Sequence, residues 1–153
     1  MKRISVYIFV IILVPVLCSC MRRGPYPPQL HQSPDQVVKV EFVDGRNETE
    51  LFKIENYNSF VLYTLEPGQT DSFMDGLLTV EFFIPGWEPS RHLGEIAARI
   101  YYKDGSSDLV GNNCNYYFDA DFEILDIGVH YPDNESFYAL FERYVDPVLL
   151  PRR

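Results

Sequence analysis

Residues 96 to 111, IAARIYYKDGSSDLVG, contain the feature that most restricts the fold of this 153-residue chain. An Asp-Gly pair, Asp104-Gly105, stands between two apolar segments. Such a pair favours a two-residue hairpin turn in which both residues have positive φ. A turn of that type places Ile100 opposite Leu109. The segment therefore predicts an antiparallel hairpin with a defined register.

Other segments predict further strands around this hairpin. Val38, Val40 and Phe42 alternate with Lys39 and Glu41, which is the period-two pattern of a half-buried strand. Four more segments are predicted as strands: TELFKIE, SFVLYTL, TVEFFIP and FDADFEI. In the last of these the apolar pattern changes phase near Ile124, which predicts a bulge or a bend there. The prediction is an antiparallel sheet of five or more strands.

Two segments have helical spacing instead. A short helix is predicted near residues 70–78, with Thr70 as N-cap. Gly76 weakens this helix by about 1 kcal/mol relative to Ala. A longer helix is predicted near residues 134–145, capped by Asp133 or Asn134 and stopped by Pro147. The predicted fold class is α+β, with one short helix and a C-terminal helix packed on the sheet.

The start of the chain has the pattern of a secretory signal. Lys2 and Arg3 precede an apolar run from Ile4 to Leu17. A membrane-spanning helix needs about 20 apolar residues, and this run is shorter and contains Pro15. Residues 1–19 are therefore predicted to be a signal peptide.

The end of the apolar run, Leu17-Cys18-Ser19-Cys20, resembles a bacterial lipobox. Leu17 stands three residues before Cys20, and the small Ser19 stands just before it. The resemblance implies a lipid such as palmitate on Cys20 and a location on the extracytoplasmic face of the cell membrane. Two alternatives stay open: an ordinary signal peptide, and an uncleaved anchor flanked by Arg22 and Arg23.

The remaining chain divides into three parts. Residues 20–35 hold the lipidated Cys and four prolines, and are predicted to be a tether that spans up to about 45 Å. The alternative is a disordered end with no spacing role. Residues 36–147 suit a single domain, and residues 148–153 form a tail. Since only Cys114 survives unmodified, no intramolecular disulfide is expected.

The charge balance excludes some partners. The chain has 13 basic and 22 acidic residues, a formal net charge of −9. Loss of Lys2 and Arg3 with the signal peptide leaves 11 basic against 22 acidic residues, or −11. Nucleic acids and anionic lipid headgroups both require a basic surface. Neither is expected to bind the body of this protein.

An acidic strip is predicted from Asp119, Asp121 and Glu123, which share one face if FDADFEI is a strand. Neighbouring members are about 6.6 Å apart along such a strand, a separation that suits two carboxylates flanking a sugar ring. The alternative is a solvated strand face. A calcium loop beginning at Asp119 would need a late glutamate, but His130 occupies that position, so no metal is predicted.

No catalytic residue is predicted. Cys114 and His130 suggest a nucleophile and a base, with Asp126 as the orienting acid. Asp126 and His130 lie about 13 Å apart if they share one straight strand, so they do not touch there.

Binding residues are predicted in the loop PGWEPSRHLG, where Trp87, Arg91 and His92 lie close together. Loops on a scaffold often carry binding residues. The alternative is an aromatic lid folded back on the core.

Three segments, IYYKDGSSDLV, NYYF and SFYALFERYV, are similar to a pattern found in small uncharacterised lipoproteins of Gram-positive bacteria. This resemblance implies a location and a fold, but no functional residues. The predicted function is a membrane-tethered, non-enzymatic binding module for a protein, peptide or glycan, without a cofactor. The alternative is a small carboxylate-dependent hydrolase acting on cell-surface glycans. The chain lacks G-x-S-x-G, H-E-x-x-H and glycine-rich phosphate motifs, which favours the binding module.

Overall fold

The computed structural model describes residues 23–84, 92–128 and 130–151. These residues form two antiparallel sheets and three α-helices. The predicted α+β class is confirmed, including a sheet of more than five strands and a C-terminal helix packed on it. Some predictions lie outside the described residues. They are the signal peptide, the lipid attachment site Cys20, and the binding residues Trp87 and Arg91.

The larger sheet has six strands: β2 Val37–Asp44, β3 Val61–Thr64, β5 Ile96–Tyr102, β6 Ser107–Gly111, β7 Asn115–Phe118 and β8 Ile124–Gly128. Their order in the sheet is β3-β2-β5-β6-β7-β8. The smaller sheet has three strands: β1 Arg23–Tyr26, β4 Phe82–Ile84 and β9 Tyr131–Pro132. Their order in the sheet is β1-β4-β9.

The three helices are α1 Glu48–Leu51, α2 Pro67–Thr79 and α3 Asn134–Phe141. The prediction of a strand over TELFKIE is wrong, because α1 and the turn after it occupy this segment. Helix α2 begins earlier than predicted: Glu66 is its N-cap, Pro67 fits the first helical position, and Thr70 lies inside the helix. Asp133 caps α3 as predicted, accepting a 3.0 Å hydrogen bond from the amide of Ser136.

The hairpin at residues 96–111 is confirmed, but its predicted register is wrong by one residue. Ile100 lies opposite Asp108, and Arg99 lies opposite Leu109. Gly105 has a φ of +90°, whereas Asp104 does not share the positive φ of the predicted turn. The Asp104 carboxyl instead accepts hydrogen bonds from the amide and hydroxyl of Ser106. The turn is therefore a three-residue loop, which shifts the strand pairing by one residue. As a result, Ile100 and Leu109, which were predicted to share a face of the sheet, lie on opposite faces.

The strand predicted over FDADFEI is also wrong. Strand β7 ends at Phe118, and the chain turns at residues 119–122, with Phe122 at a φ of 69°. The acidic strip therefore lies in a loop and not along a strand face. The predicted bulge near Ile124 is confirmed: Tyr117 pairs with Asp126 but Phe118 with Ile124, which leaves Leu125 as the extra residue.

The central strands of the six-stranded sheet, β5 and β6, are covered on both faces, whereas the edge strand β8 is mostly exposed. The helix-side core packs α2 and α3 on one face, through residues such as Phe42, Phe73, Ile100, Phe137 and Phe141. The opposite core covers the other face with α1 and neighbouring turns, through residues such as Val43, Leu51, Tyr57, Leu109 and Phe118. The half-buried pattern predicted for β2 therefore fails at Glu41, which is only 7% exposed.

Both ends of the described chain belong to this packing. Residues 23–36, here called the N-terminal segment, include β1, the buried Pro28, and Leu30, which packs against the helix-side core. Leu150, in the predicted tail, is 6% exposed and belongs to the same core. The folded part is thus longer at both ends than the predicted range 36–147. No helix in the described ranges is both long enough and apolar enough to cross a membrane.

Candidate functional site

One predicted binding residue, His92, lies in the described part of the chain. Its side chain is 86% exposed, and its Nδ1 atom is 3.6 Å from Oε2 of Glu48. The same Oε2 accepts a 2.9 Å hydrogen bond from the amide of Leu93. Residues 85–91 of the predicted binding loop lie outside the described residues; Ile84, the last residue of β4, precedes them, and His92, beside Glu48 of α1, follows them.

The acidic strip occupies the turn between β7 and β8. Asp119 holds this turn, because its Oδ1 atom accepts 2.9 Å hydrogen bonds from the amides of Asp121 and Glu123. The side chains of Asp121 and Glu123 are exposed to solvent. One of the three carboxylates is thus a turn-forming group, and the strip does not form a row of equivalent acids.

The structure does not support Cys114, His130 and Asp126 as a catalytic group. Cys114 is buried in the opposite core, and burial raises the pKa of its thiol to about 12. The thiol is therefore protonated at neutral pH, and only the thiolate is a strong nucleophile. Asp126 is exposed on β8 and accepts a hydrogen bond from the amide of Ile127. Burial lowers the pKa of His130.

Two buried side chains have polar atoms without a hydrogen-bond partner among the described residues. They are the amide of Asn115, which is fully buried, and Nδ1 of His130, which is 9% exposed. Asn115 lies opposite Gly128 on β8, two positions before His130.

Tyrosine–carboxylate pairs are the polar feature that sequence reasoning missed. Each of four acids in or near the sheet accepts a hydrogen bond from one or two tyrosine hydroxyls. The pairs are Tyr57 and Tyr101 with Glu41, Tyr102 with Asp108, Tyr116 with Glu48, and Tyr138 with Glu95. A signal was present: Tyr101-Tyr102 and Tyr116-Tyr117 are adjacent pairs within strands, and neighbouring strand residues point to opposite faces. Each adjacent pair of tyrosines therefore places one hydroxyl on each face of the sheet.

Glu41 is the acid of this group that accepts from two tyrosine hydroxyls. Its Oε2 atom accepts from the hydroxyls of Tyr57 at 2.9 Å and Tyr101 at 2.7 Å, and its Oε1 atom accepts from Lys39 at 2.8 Å. Burial raises the pKa of Glu41, but these three hydrogen bonds outweigh burial and hold the pKa below its ordinary value. Burial, followed by the bond to Glu41, raises the pKa of Tyr101 to about 12.

Arg99 lies beside this cluster and is 2% exposed. Its guanidinium carbon is 3.7 Å from the ring centre of Phe122 and 4.7 Å from those of Phe118 and Tyr57. The Nε and Nη2 atoms donate to the hydroxyl of Ser107 at 3.1 and 2.9 Å. Aromatic faces attract a buried cation, so this arrangement holds the positive charge next to Glu41 inside the opposite core.

Asp108, on the other face of the sheet, fixes the N-terminal segment. This residue is fully buried, and its carboxyl group accepts hydrogen bonds from the hydroxyl of Tyr102 at 2.5 Å and the backbone amide of His31 at 2.9 Å. The Nδ1 atom of His31 is 2.8 Å from the same carboxyl group. The His31 ring also packs edge-on against Tyr102 and Tyr117.

Two open grooves flank α3 in the described structure. One, of about 460 Å³, is lined in part by Tyr138, Glu142 and Leu150. The other, of about 410 Å³, lies between α2 and α3 near Gly76 and Arg143. Neither groove contains a residue of the predicted binding loop or the acidic strip. No group of three or more His, Cys, Asp or Glu side chains suited to a metal occurs among the described residues.

Comparison of the chain with protein-family models, curated proteins and solved structures gave no match. The resemblance to Gram-positive lipoproteins therefore stays a prediction.

Proposed function

We propose that this protein is a lipid-anchored binding module on the extracytoplasmic face of a bacterial membrane, and that its partner is a protein, peptide or glycan. The proposal of a lipid anchor depends on one observation: the segment Leu17-Cys18-Ser19-Cys20 stands at the end of an apolar run of signal-peptide length. The lipid on Cys20 joins the protein to the membrane. The acidic body makes no use of lipid charge.

The state of the carboxyl groups supports binding over hydrolysis. A glycan hydrolase needs one acid whose pKa is raised to donate a proton and a second acid that stays ionised. The pKa shifts resolved for acids of the described residues are all downward, at Asp35, Glu41, Asp44, Glu50 and Asp104. The buried acids are also occupied by tyrosine hydroxyls, which gives these acids a structural role.

Anchoring is tested by growing bacteria that express the full chain with a palmitate analogue. We expect the protein to carry the label, and we expect Cys20→Ala to abolish it. Cys18→Ala is the matched control and keeps the label, because Cys18 follows the bulky Leu17 instead of a small residue. Label that persists in Cys20→Ala contradicts the lipid anchor.

The binding half is tested on the same membranes by pull-down of surface proteins and glycans. Trp87→Ala is expected to weaken capture of the partner. The triple variant Asp119→Asn, Asp121→Asn and Glu123→Gln is expected to leave any glycan turnover unchanged. Loss of turnover in the triple variant, with an unaltered circular dichroism spectrum, favours the hydrolase instead.

A further inference from the structure

We infer that the folded domain rests close against the lipid bilayer, with the end of β1 at Arg23 facing the headgroups, and does not stand off on a proline-rich spacer. This inference depends on the proposed lipid at Cys20. It identifies the surface around β1 and β4 as the membrane-facing side of the domain.

The first step is that β1 is built into the smaller sheet. Arg23 pairs with Ile84 and Tyr26 pairs with Phe82, both on β4. The two strands approach closely at Gly24, which has a φ of +144°. A Cβ atom on Gly24 would lie 2.8 Å from the carbonyl oxygen of Phe82. Residues that fit a neighbouring strand this closely do not act as a free tether.

The second step is that the rest of the N-terminal segment is also held. Pro28 is buried, and His31 is bound to the fully buried Asp108 through its backbone and its ring. Further on, the side chain of Gln32 donates to Asp104 at 2.9 Å, and the amide of Lys103 donates to the carbonyl of Gln36 at 3.0 Å. The segment is attached to the domain from β1 to the start of β2.

The third step is the length of chain that is left. Three Cα-to-Cα steps separate Cys20 from Arg23, and an extended chain covers at most about 3.6 Å per residue. The lipid-bearing residue is therefore within about 11 Å of the first residue of β1. Arg23 lies beside Ile84, so this end of β4 is on the membrane-facing side as well.

The fourth step is that the net charge of the protein excludes electrostatic attraction as the force that keeps the domain near the bilayer. The chain that begins at Cys20 has a formal net charge of −11 and is not attracted to anionic lipid, so the short covalent link keeps the domain close. A longer link should therefore let the domain move away from the bilayer. This consequence separates a short link from adsorption to the lipid surface.

The test uses the chain that begins at Cys20, coupled through the Cys20 thiol to a maleimide lipid in a supported phosphatidylcholine bilayer. Cys114 does not compete, because it is buried and burial raises the pKa of its thiol to about 12. Neutron reflectometry then measures the water layer between headgroups and protein. We expect a layer thinner than about 11 Å. Because the lipid is attached chemically, the result does not depend on acylation in the cell, which the palmitate label tests separately.

A variant with twenty Gly/Ser residues inserted between Arg22 and Arg23 is the control. Such a spacer has a root-mean-square length of about 25 Å, so the water layer should thicken by a similar amount. A water layer of several tens of ångströms in the chain without the insert would overturn the inference. A thin layer in both proteins would also overturn it, because surface adsorption would then explain the contact. Matching circular dichroism spectra confirm that both proteins are folded.

Discussion

At the scale of single residues, tyrosine hydroxyls allow acids to lie inside this protein. Glu41 and Asp108 are 7% and 0% exposed, and a buried carboxyl group without donors costs several kcal/mol. Tyr57 and Tyr101 supply donors to Glu41, and Tyr102 supplies one to Asp108. The sequence shows the tyrosines and the acids but not their pairing, because partners such as Glu41 and Tyr101 are 60 residues apart. Only the paired strands bring them together.

The first prediction concerns Glu41. Its pKa in the folded protein lies below the ordinary value, so its contribution to the free energy of unfolding is complete above pH 4.5 and is lost as the pH falls through the folded pKa. Glu41→Gln should lower the free energy of unfolding by about 1–3 kcal/mol at pH 7, and by less at pH 3. Urea unfolding at both pH values measures this. Glu55→Gln, at an exposed position, is the control and should change neither value by more than about 0.5 kcal/mol. An equal loss at both pH values would contradict the assignment.

At the scale of elements, the sequence predicted periodic strands and capped helices better than it predicted turns. The helix predicted to begin near residue 134 and its cap at Asp133 are found in the structure, although α3 ends at Phe141 and not near residue 145. The turn predicted at Asp104-Gly105 differs from the one observed, and a second turn lies at residues 119–122, where a strand was predicted. At the first turn, the carboxyl group of Asp104 accepts a hydrogen bond from Ser106 and so lengthens the turn. At the second, the carboxyl group of Asp119 accepts hydrogen bonds from the amides of Asp121 and Glu123, and so forms a turn in place of the predicted strand. Side-chain hydrogen bonds of this kind compete with the regular ladder, and a hydrophobic pattern does not report them.

The second prediction compares two glycines of α2. A Cβ atom on Gly68 meets nothing within 4 Å, whereas one on Gly76 would lie 2.5 Å from Cδ1 of Leu140 on α3. Gly68→Ala should raise the free energy of unfolding by about 0.5–1 kcal/mol, because alanine is the better helix former. Gly76→Ala should lower it by about 1–3 kcal/mol through overpacking against α3. Thermal and urea unfolding measure both values.

A double variant separates packing from helix propensity at Gly76. Leu140→Ala removes the atom that a Cβ on residue 76 would meet. In that background Gly76→Ala should become neutral or stabilising. If Gly76→Ala stabilised the unmodified protein as Gly68→Ala does, the close contact between α2 and α3 would be absent in solution.

At the scale of the whole molecule, the sequence did not predict that the larger sheet has a hydrophobic core on each of its two faces. The alternation of β2 predicts one solvated face, yet β5 is buried on both sides and the larger sheet lies between two cores. The second layer comes from short irregular elements with weak sequence patterns, namely α1, the 3₁₀ turn at Tyr57–Phe60 and the loop around Phe122. The packing of the N-terminal segment on the domain was not predicted for a related reason. Its prolines predict extended chain, and an extended chain can pack on a sheet as readily as it can form a spacer.

The last prediction tests whether the N-terminal segment is part of the fold. Deleting residues 23–36 removes β1, the apolar contact of Leu30 and the His31 contacts with the fully buried Asp108. The loss of apolar burial and of donors to a buried carboxyl group should together lower the free energy of unfolding by more than about 3 kcal/mol. His31→Ala should have a smaller effect of about 1–2 kcal/mol, because the backbone amide of residue 31 still donates. Val148→Ser, at a side chain that is 83% exposed, is the control and should change stability by less than about 0.5 kcal/mol. Urea unfolding followed by near-ultraviolet circular dichroism measures all three. A deletion that leaves stability unchanged would mean that residues 23–36 are a tether after all, and the domain would then be free to stand away from the membrane.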